Sequence, residues 1–185
     1  FSSSNLAIGS YSGRNCVLIL KAFLKTVTFT IVFYRRKIIL SLLEIFGGKV
    51  GKIQLHKLIF LLSLNQQKPD YQFIPYKFGC YSPSMTADLN TMVTKKLLTE
   101  SHDCISKADR AVYFNQLKSD DQLLLRRVKS NYGHLDSAAL MKYTYTHYPF
   151  YAIKSEVAPE ILCAEDLRKV EEAKPAIKKT TLYTI

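Results

Sequence analysis

Tryptophan is absent from this chain, cysteine is scarce, and acidic side chains are outnumbered, 15 Asp and Glu against 26 Lys and Arg. The 4 cysteines, Cys16, Cys80, Cys104 and Cys163, lie far apart with no C-x-x-C pair. That excludes a dithiol redox motif and a disulfide-dense scaffold, and reduced thiols in the cytoplasm are the expectation. His102 and Cys104 offer two metal ligands where a structural zinc needs four, so no metal is expected. Acid is missing above all from the start. None precedes Glu44, whereas Arg14, Lys21, Lys25, Arg35, Arg36 and Lys37 do, which puts +5 of the net +11 in the first 46 residues. The remainder is moderately basic, a balance that suits nucleic acid or an acidic protein and is equally common on soluble domains.

An uninterrupted hydrophobic run is also lacking. Cys16 to Phe33 is apolar and β-branched, but Lys21 and Lys25 lie inside it, each costing about 3 kcal/mol at the centre of a bilayer. No small-residue cleavage site follows; the basic Tyr34-Arg35-Arg36-Lys37 does. Residues 1–31 are therefore expected to be a poorly ordered or non-native extension, with the domain starting near Val32. A peripheral membrane segment is the alternative, and a membrane span is not expected. The glycine-rich Gly47 to Lys52 lacks the features of a phosphate loop. The first glycine of G-x-x-x-x-G-K would fall on Phe46, Ile53 stands where Ser or Thr is needed, and the preceding pattern is helical. It reads as a helix–helix turn.

What is present is helical periodicity interrupted by an aromatic stretch. Ile38, Leu42, Ile45 and Phe46 give one stripe over Tyr34 to Phe46, closed by Gly47-Gly48. Leu55, Leu58, Ile59 and Leu62 give a second stripe, with Gln54, Lys57 and Ser63 off it and His56 on its flank. Tyr71 to Phe78 reads as a short strand that Pro75 confines to an edge. Ser82 then caps a helix whose first residue is Pro83 and whose buried stripe is Met85, Leu89, Met92 and Val93, running to about Leu97. Thr99 to Ile105 and Ala111 to Leu117 read as a hairpin or wing turned by Ser106 to Arg110, with Val112 and Phe114 on one face. Ser119-Asp120-Asp121 caps a helix whose far end carries Arg126, Arg127 and Lys129. Further helices are expected over Asp136 to Tyr148, an aromatic-rich stretch, and over Pro159 to Ala173. The fold class is α+β, mainly helical, with a winged-helix-like body.

Gln54-Leu55-His56-Lys57-Leu58-Ile59-Phe60, followed by Pro75-Tyr76-Lys77-Phe78-Gly79-Cys80-Tyr81-Ser82, resembles the SocA-type antitoxin domain, also called Panacea. Its hallmark is an LQKLLYF-like helix and a W/Y-x-x-G-P stretch leading into another helix. Cys80 stands in place of the usual proline and Tyr76 in place of the common tryptophan, which marks a divergent branch. The resemblance covers roughly residues 34–160. It implies a non-enzymatic module that binds a protein partner, either a toxin or a C-terminal domain of the same polypeptide, and needs no cofactor. Residues 32–163 would be that module, 164–181 a charged helix and basic linker, and 182–185 the first strand of a further α/β domain of the kind found in longer bacterial proteins.

The docking surface is expected around Tyr76, Lys77, Phe78, Gly79 and Tyr81, with His56 and Lys57 beside it. DNA binding is the alternative. The helix from Pro83 would enter the major groove with Ser84, Thr86, Asn90, Thr91, Thr94 and Lys95 outward and Asp88 on the same side. Lys107 and Arg110 would then touch phosphate from the wing. No spacing of cysteine with His56, His102, His134 or His147 designates a nucleophile and its base, so catalytic residues are not expected.

Overall fold

The computed structural model describes residues 32–174; the expectations placed on residues 1–31 and 182–185, and on the linker beyond Lys174, lie outside them. Helix α1 (Tyr34–Ile45) follows the predicted period, with Ile38, Ile39, Leu42 and Leu43 fully buried. It ends where Gly47 and Gly48 turn left-handed, at φ of 83° and 87°. Gly48 returns its N–H to the Leu43 carbonyl at 2.7 Å, satisfying a carbonyl that the helix end would otherwise strand.

The following residues are not the simple turn expected. Strand β1 (Lys49–Gly51) leads directly into helix α2 (Lys52–Ser63). Then come hairpin strands β2 (Ile74–Tyr76) and β3 (Gly79–Tyr81), helix α3 (Pro83–Thr94), and strands β4 (Leu98–Glu100) and β5 (Cys104–Lys107). Strand β5 is central in a three-stranded antiparallel sheet ordered β1-β5-β4, with Val50 opposite Ile105 and Thr99 opposite Ser106. The hairpin β4–β5 thus turns at Ser101 to Asp103, not at Ser106 to Arg110. Ala111 to Leu117 is not a strand, because Glu44 holds the backbone N–H groups of Tyr113 at 2.9 Å and Phe114 at 3.0 Å. Those donors are lost to any ladder, and a 3-10 turn (Phe114–Gln116) forms instead. Tyr113 and Phe114 are both buried while Val112 is exposed, so the expected pairing of Val112 with Phe114 on one face is broken.

Helix α4 (Ser119–Tyr132) has Asp120 and Asp121 in its first turn, but its N-cap is Lys118 and no side chain caps it. Helix α5 (Ser137–His147) starts on a true cap, Asp136 accepting from Ala139 N at 2.8 Å. The predicted final helix is two, α6 (Ala158–Ile161) and α7 (Ala164–Ala173), separated by Leu162 and Cys163. Seven α-helices and two small antiparallel sheets make the described residues α+β and mainly helical. No helix among them is long and apolar enough to cross a membrane.

Helix α2 is the centre. Leu55 and every residue from Lys57 to Ser63 is buried, so the predicted stripe is in fact a helix enclosed on nearly all sides. Helix α3 is tied to α1 by a buried charge cluster. Asp88, 1% exposed, accepts from Arg36 Nε at 2.8 Å, pairs with Arg35 Nε at 2.5 Å and accepts from the Tyr71 hydroxyl at 3.0 Å. Burial would raise its pKa, but the hydrogen bonds of Arg35, Arg36 and Tyr71 outweigh it and hold the carboxyl below its ordinary value. Asp88 is therefore not on the outer face of α3. Asp88→Ala leaves the buried Arg36 guanidinium without a counter-charge. It is expected to destabilise the domain by about 3–5 kcal/mol, read as a lowered urea midpoint.

Candidate functional site

The sequence from Ile74 to Tyr81 folds into hairpin β2–β3, with Tyr76 opposite Gly79 and only Lys77 and Phe78 between them. Pro75, which has no N–H to give, sits in a two-stranded sheet where every strand is an edge. The left-handed step of the turn falls on Gly79, at φ 85°. Space demands glycine there as well. A Cβ at this position would stand 2.3 Å from Tyr145 Cε1 and 2.9 Å from Lys57 Nζ. The close approach of the hairpin to α2 and α5 is thus a packing reason for a glycine that the sequence suggested was functional.

Lys57 makes that approach. Although off the predicted apolar stripe, it is 1% exposed. Its ammonium donates to the Phe78 carbonyl and lies 5.5 Å from the centroid of the Tyr145 ring. No carboxylate pairs with it among the described residues. Burial lowers its pKa, while the neighbouring Cys80 acts in the opposite sense. Burial likewise raises the Cys80 thiol, against the pull of Lys57. The Tyr145 hydroxyl, pushed up to about 12 by burial, accepts from Ser155 Oγ at 2.9 Å.

Between α2 and the hairpin lies a cleft of about 200 Å³ walled by Ile53, His56, Lys57, Tyr76, Phe78 and Tyr81, with Lys52, Gly79 and Cys80 completing it. The His56 ring stacks on Tyr81 with centroids 5.5 Å apart, and Tyr81 lies 4.9 Å from Tyr76. His56 Nδ1 is buried and has no hydrogen-bond partner among the described residues. Burial, and then the charge of Lys57, lowers the His56 pKa to about 4. Tyr76 and Phe78 of the cleft wall are each 46% exposed and Ile74, beside the cleft, is 47% exposed, three large side chains on one small hairpin.

Of the residues singled out from sequence, His56, Lys57, Tyr76, Phe78, Gly79 and Tyr81 meet at this cleft. Lys77 does not; its amine reaches Glu156 at 3.1 Å, and its carbonyl accepts from Glu156 N at 2.9 Å. Lys52, Ile53 and Cys80 are the wall residues that sequence reasoning missed. Cys80 and His56 share the cleft without a hydrogen bond between them, and burial favours the neutral form of both. That is not the ion pair of an activated thiol.

The residues singled out for DNA are dispersed. Asn90, Thr94 and Lys95 are exposed on and just beyond α3, and Arg110 is exposed in the loop after β5. Lys107, the last residue of β5, is not free to reach a phosphate. Its side chain is 9% exposed and its amine is held by Asp109 at 3.0 Å, Glu44 at 3.5 Å and the Ala111 carbonyl at 2.5 Å. The turn between β4 and β5 carries His102 and Asp103, both exposed. Among the described residues no cluster of His, Cys, Asp or Glu is arranged to hold a metal ion.

Two measurements check this geometry. Gly79→Ala combines left-handed strain with a clash on Tyr145 and is expected to cost roughly 3 kcal/mol or more, measured by urea unfolding. For His56, the unfolded chain takes up its proton near pH 6.5 and the folded chain only near pH 4. Stability is thus unaffected by this group above pH 6.5 and falls as pH drops below it. The accumulated loss by pH 4 is about 3 kcal/mol. A His56→Phe variant, compared by urea midpoints at both pH values, is expected to lack that part of the loss. Comparison with protein families, with curated proteins and with solved structures finds no match.

Proposed function

We propose that this domain is a winged-helix-type interaction module that docks a protein partner on hairpin β2–β3 and acts by binding. One observation carries the reading. Ile74, Tyr76 and Phe78 stand about half exposed on a hairpin that is itself fixed rigidly from below by Lys57 and Tyr145. Large aromatic side chains on a rigid support give contact area at low entropic cost. The winged-helix description is supported by the order β1-β5-β4 and by helices α1, α2 and α3 in the expected places along the chain, with the hairpin inserted between α2 and α3. The resemblance to SocA-type antitoxins makes the partner a toxin-like protein or a further domain of the same polypeptide.

DNA binding is the second reading. It is favoured by the outward Asn90, Thr94 and Lys95 of the α3 region, and by the removal of Asp88 into the interior, which leaves that face free of the acid that the sequence placed there. It is weakened by the fully engaged Lys107.

A pull-down from nuclease-treated bacterial lysate separates the two. The wild-type chain is expected to retain a specific protein in 1 M salt as well as in low salt. The Tyr76→Ala/Phe78→Ala variant, checked for folding by its thermal midpoint, is expected to lose about thirtyfold or more in affinity for that protein. Recovery of nucleic acid alone from untreated lysate, washed off steeply with salt, would establish the second reading in place of the first.

A further inference from the structure

The cleft beside the hairpin is chemically one-sided. Its walls are apolar and aromatic, through Ile53, Tyr76, Phe78 and Tyr81, and among the described residues no acidic side chain lines it. The polar residues on its wall are Lys57, His56 and Cys80, of which Lys57 and Cys80 are 1% and 2% exposed. Lys52, at the rim, is already paired with Glu100 at 2.5 Å. Lys57 is not paired with any described carboxylate, and its hydrogen bond to the Phe78 carbonyl supplies a partial charge where a full one would be needed to neutralise it. His56 adds a buried nitrogen without a described partner on the same wall. In a site with low-dielectric walls, an uncompensated ammonium sets a positive potential that an entering anion feels strongly.

Resting on the docking reading above, we infer that this cleft receives an acidic side chain, glutamate or aspartate, from an extended and otherwise apolar segment of the protein partner. The volume, about 200 Å³, accommodates one side chain and not a folded element. The exposed Ile74, Tyr76 and Phe78 lie on the same hairpin and give the residues flanking that acid an apolar seat. A cationic side chain is disfavoured by Lys57. A neutral one fills the volume but leaves the buried ammonium without a counter-charge. The pairing therefore supplies selectivity for acid over amide, and the aromatic rim supplies contact area.

The test uses the full 185-residue chain and three synthetic peptides followed by backbone amide shifts in NMR titration. The first is a capped peptide of alanine, leucine, glutamate, phenylalanine and alanine. The second has glutamine for glutamate, and the third is the glutamine peptide with a free C-terminal carboxylate. The glutamate peptide is expected to bind about tenfold or more tightly than the glutamine peptide. Shifts should centre on Lys57, Phe78 and Gly79, and the free-acid peptide should behave like the capped glutamine one. Lys57→Met, which keeps the apolar stem, is expected to abolish the preference. If that variant fails to fold, the comparison of peptides on the wild-type chain decides alone. Equal affinity of the glutamate and glutamine peptides, no binding of either, shifts centred elsewhere, or a free-acid peptide as tight as the glutamate one would each overturn the inference. Equal affinities that are both weakened by Tyr76→Ala/Phe78→Ala would overturn it while leaving the docking surface standing. Failure of the docking reading itself is read separately, in the pull-down.

Discussion

A buried ammonium that no described carboxylate pairs with is the constraint on which this domain turns. Lys57 lies in the middle of α2, the helix enclosed on nearly all sides, and must satisfy its charge with what surrounds it. It uses a carbonyl of the β2–β3 turn and the face of Tyr145. Those two contacts bring a loop some twenty residues downstream and a helix near the end of the domain against the same point on α2. Gly79 follows as a necessity, because the gap left between Lys57 and Tyr145 holds no Cβ. Removing water from a charge costs several kcal/mol even after relaxation, so the hairpin cannot lift away without exposing or stranding the amine.

Asp88 is the opposite solution to the same problem. It too is buried, but two guanidinium groups and a tyrosine hydroxyl converge on its carboxylate. Burial and then Asp88 itself push the Tyr71 hydroxyl far up, so it remains a donor throughout the accessible pH range. This cluster is closed and saturated, and it joins α1 to α3 without leaving any bonding capacity for a visitor. The contrast between the two charges, one saturated and one not, is the physical difference between a structural knot and a place where something else can bind.

Much of the fold was legible because its signals are local. The period of α1, the glycines that end it, the Ser82-Pro83 start of α3 and the Asp136 cap of α5 are each settled within a few residues. What escaped was decided at long range. Strand β1 is three residues long and exists because β5 lies opposite it. The stretch from Ala111 to Leu117 has the composition of a strand and was diverted by Glu44, a residue on α1. Lys57 and Asp88 read as surface residues because charge is the ordinary mark of a surface, and only their distant partners show otherwise. At the candidate site the aromatic and glycine residues stood out in the sequence. Cys80 and Ile53 had no such mark and enter only through the shape of the cleft. Lys77 looked no different from its neighbours and points elsewhere because Glu156 holds it.

The pairing of β1 with β5 also bears on how the domain comes into being. Lys49 and Ser106 are neighbours in the sheet, yet α2, hairpin β2–β3, α3 and β4 all lie between them in the chain. Strands β4 and β5 close as a local hairpin within microseconds, whereas β1 has to wait for a loop of dozens of residues to be brought together, with its entropy already spent. On a ribosome the wait is longer, since β1 leaves the exit tunnel seconds before its partner has been synthesised. During that interval the N-terminal turn of α2 lacks the Asp103 carbonyl that accepts from Lys52 N in the finished fold, so the central helix is completed last at the end where the chain began it.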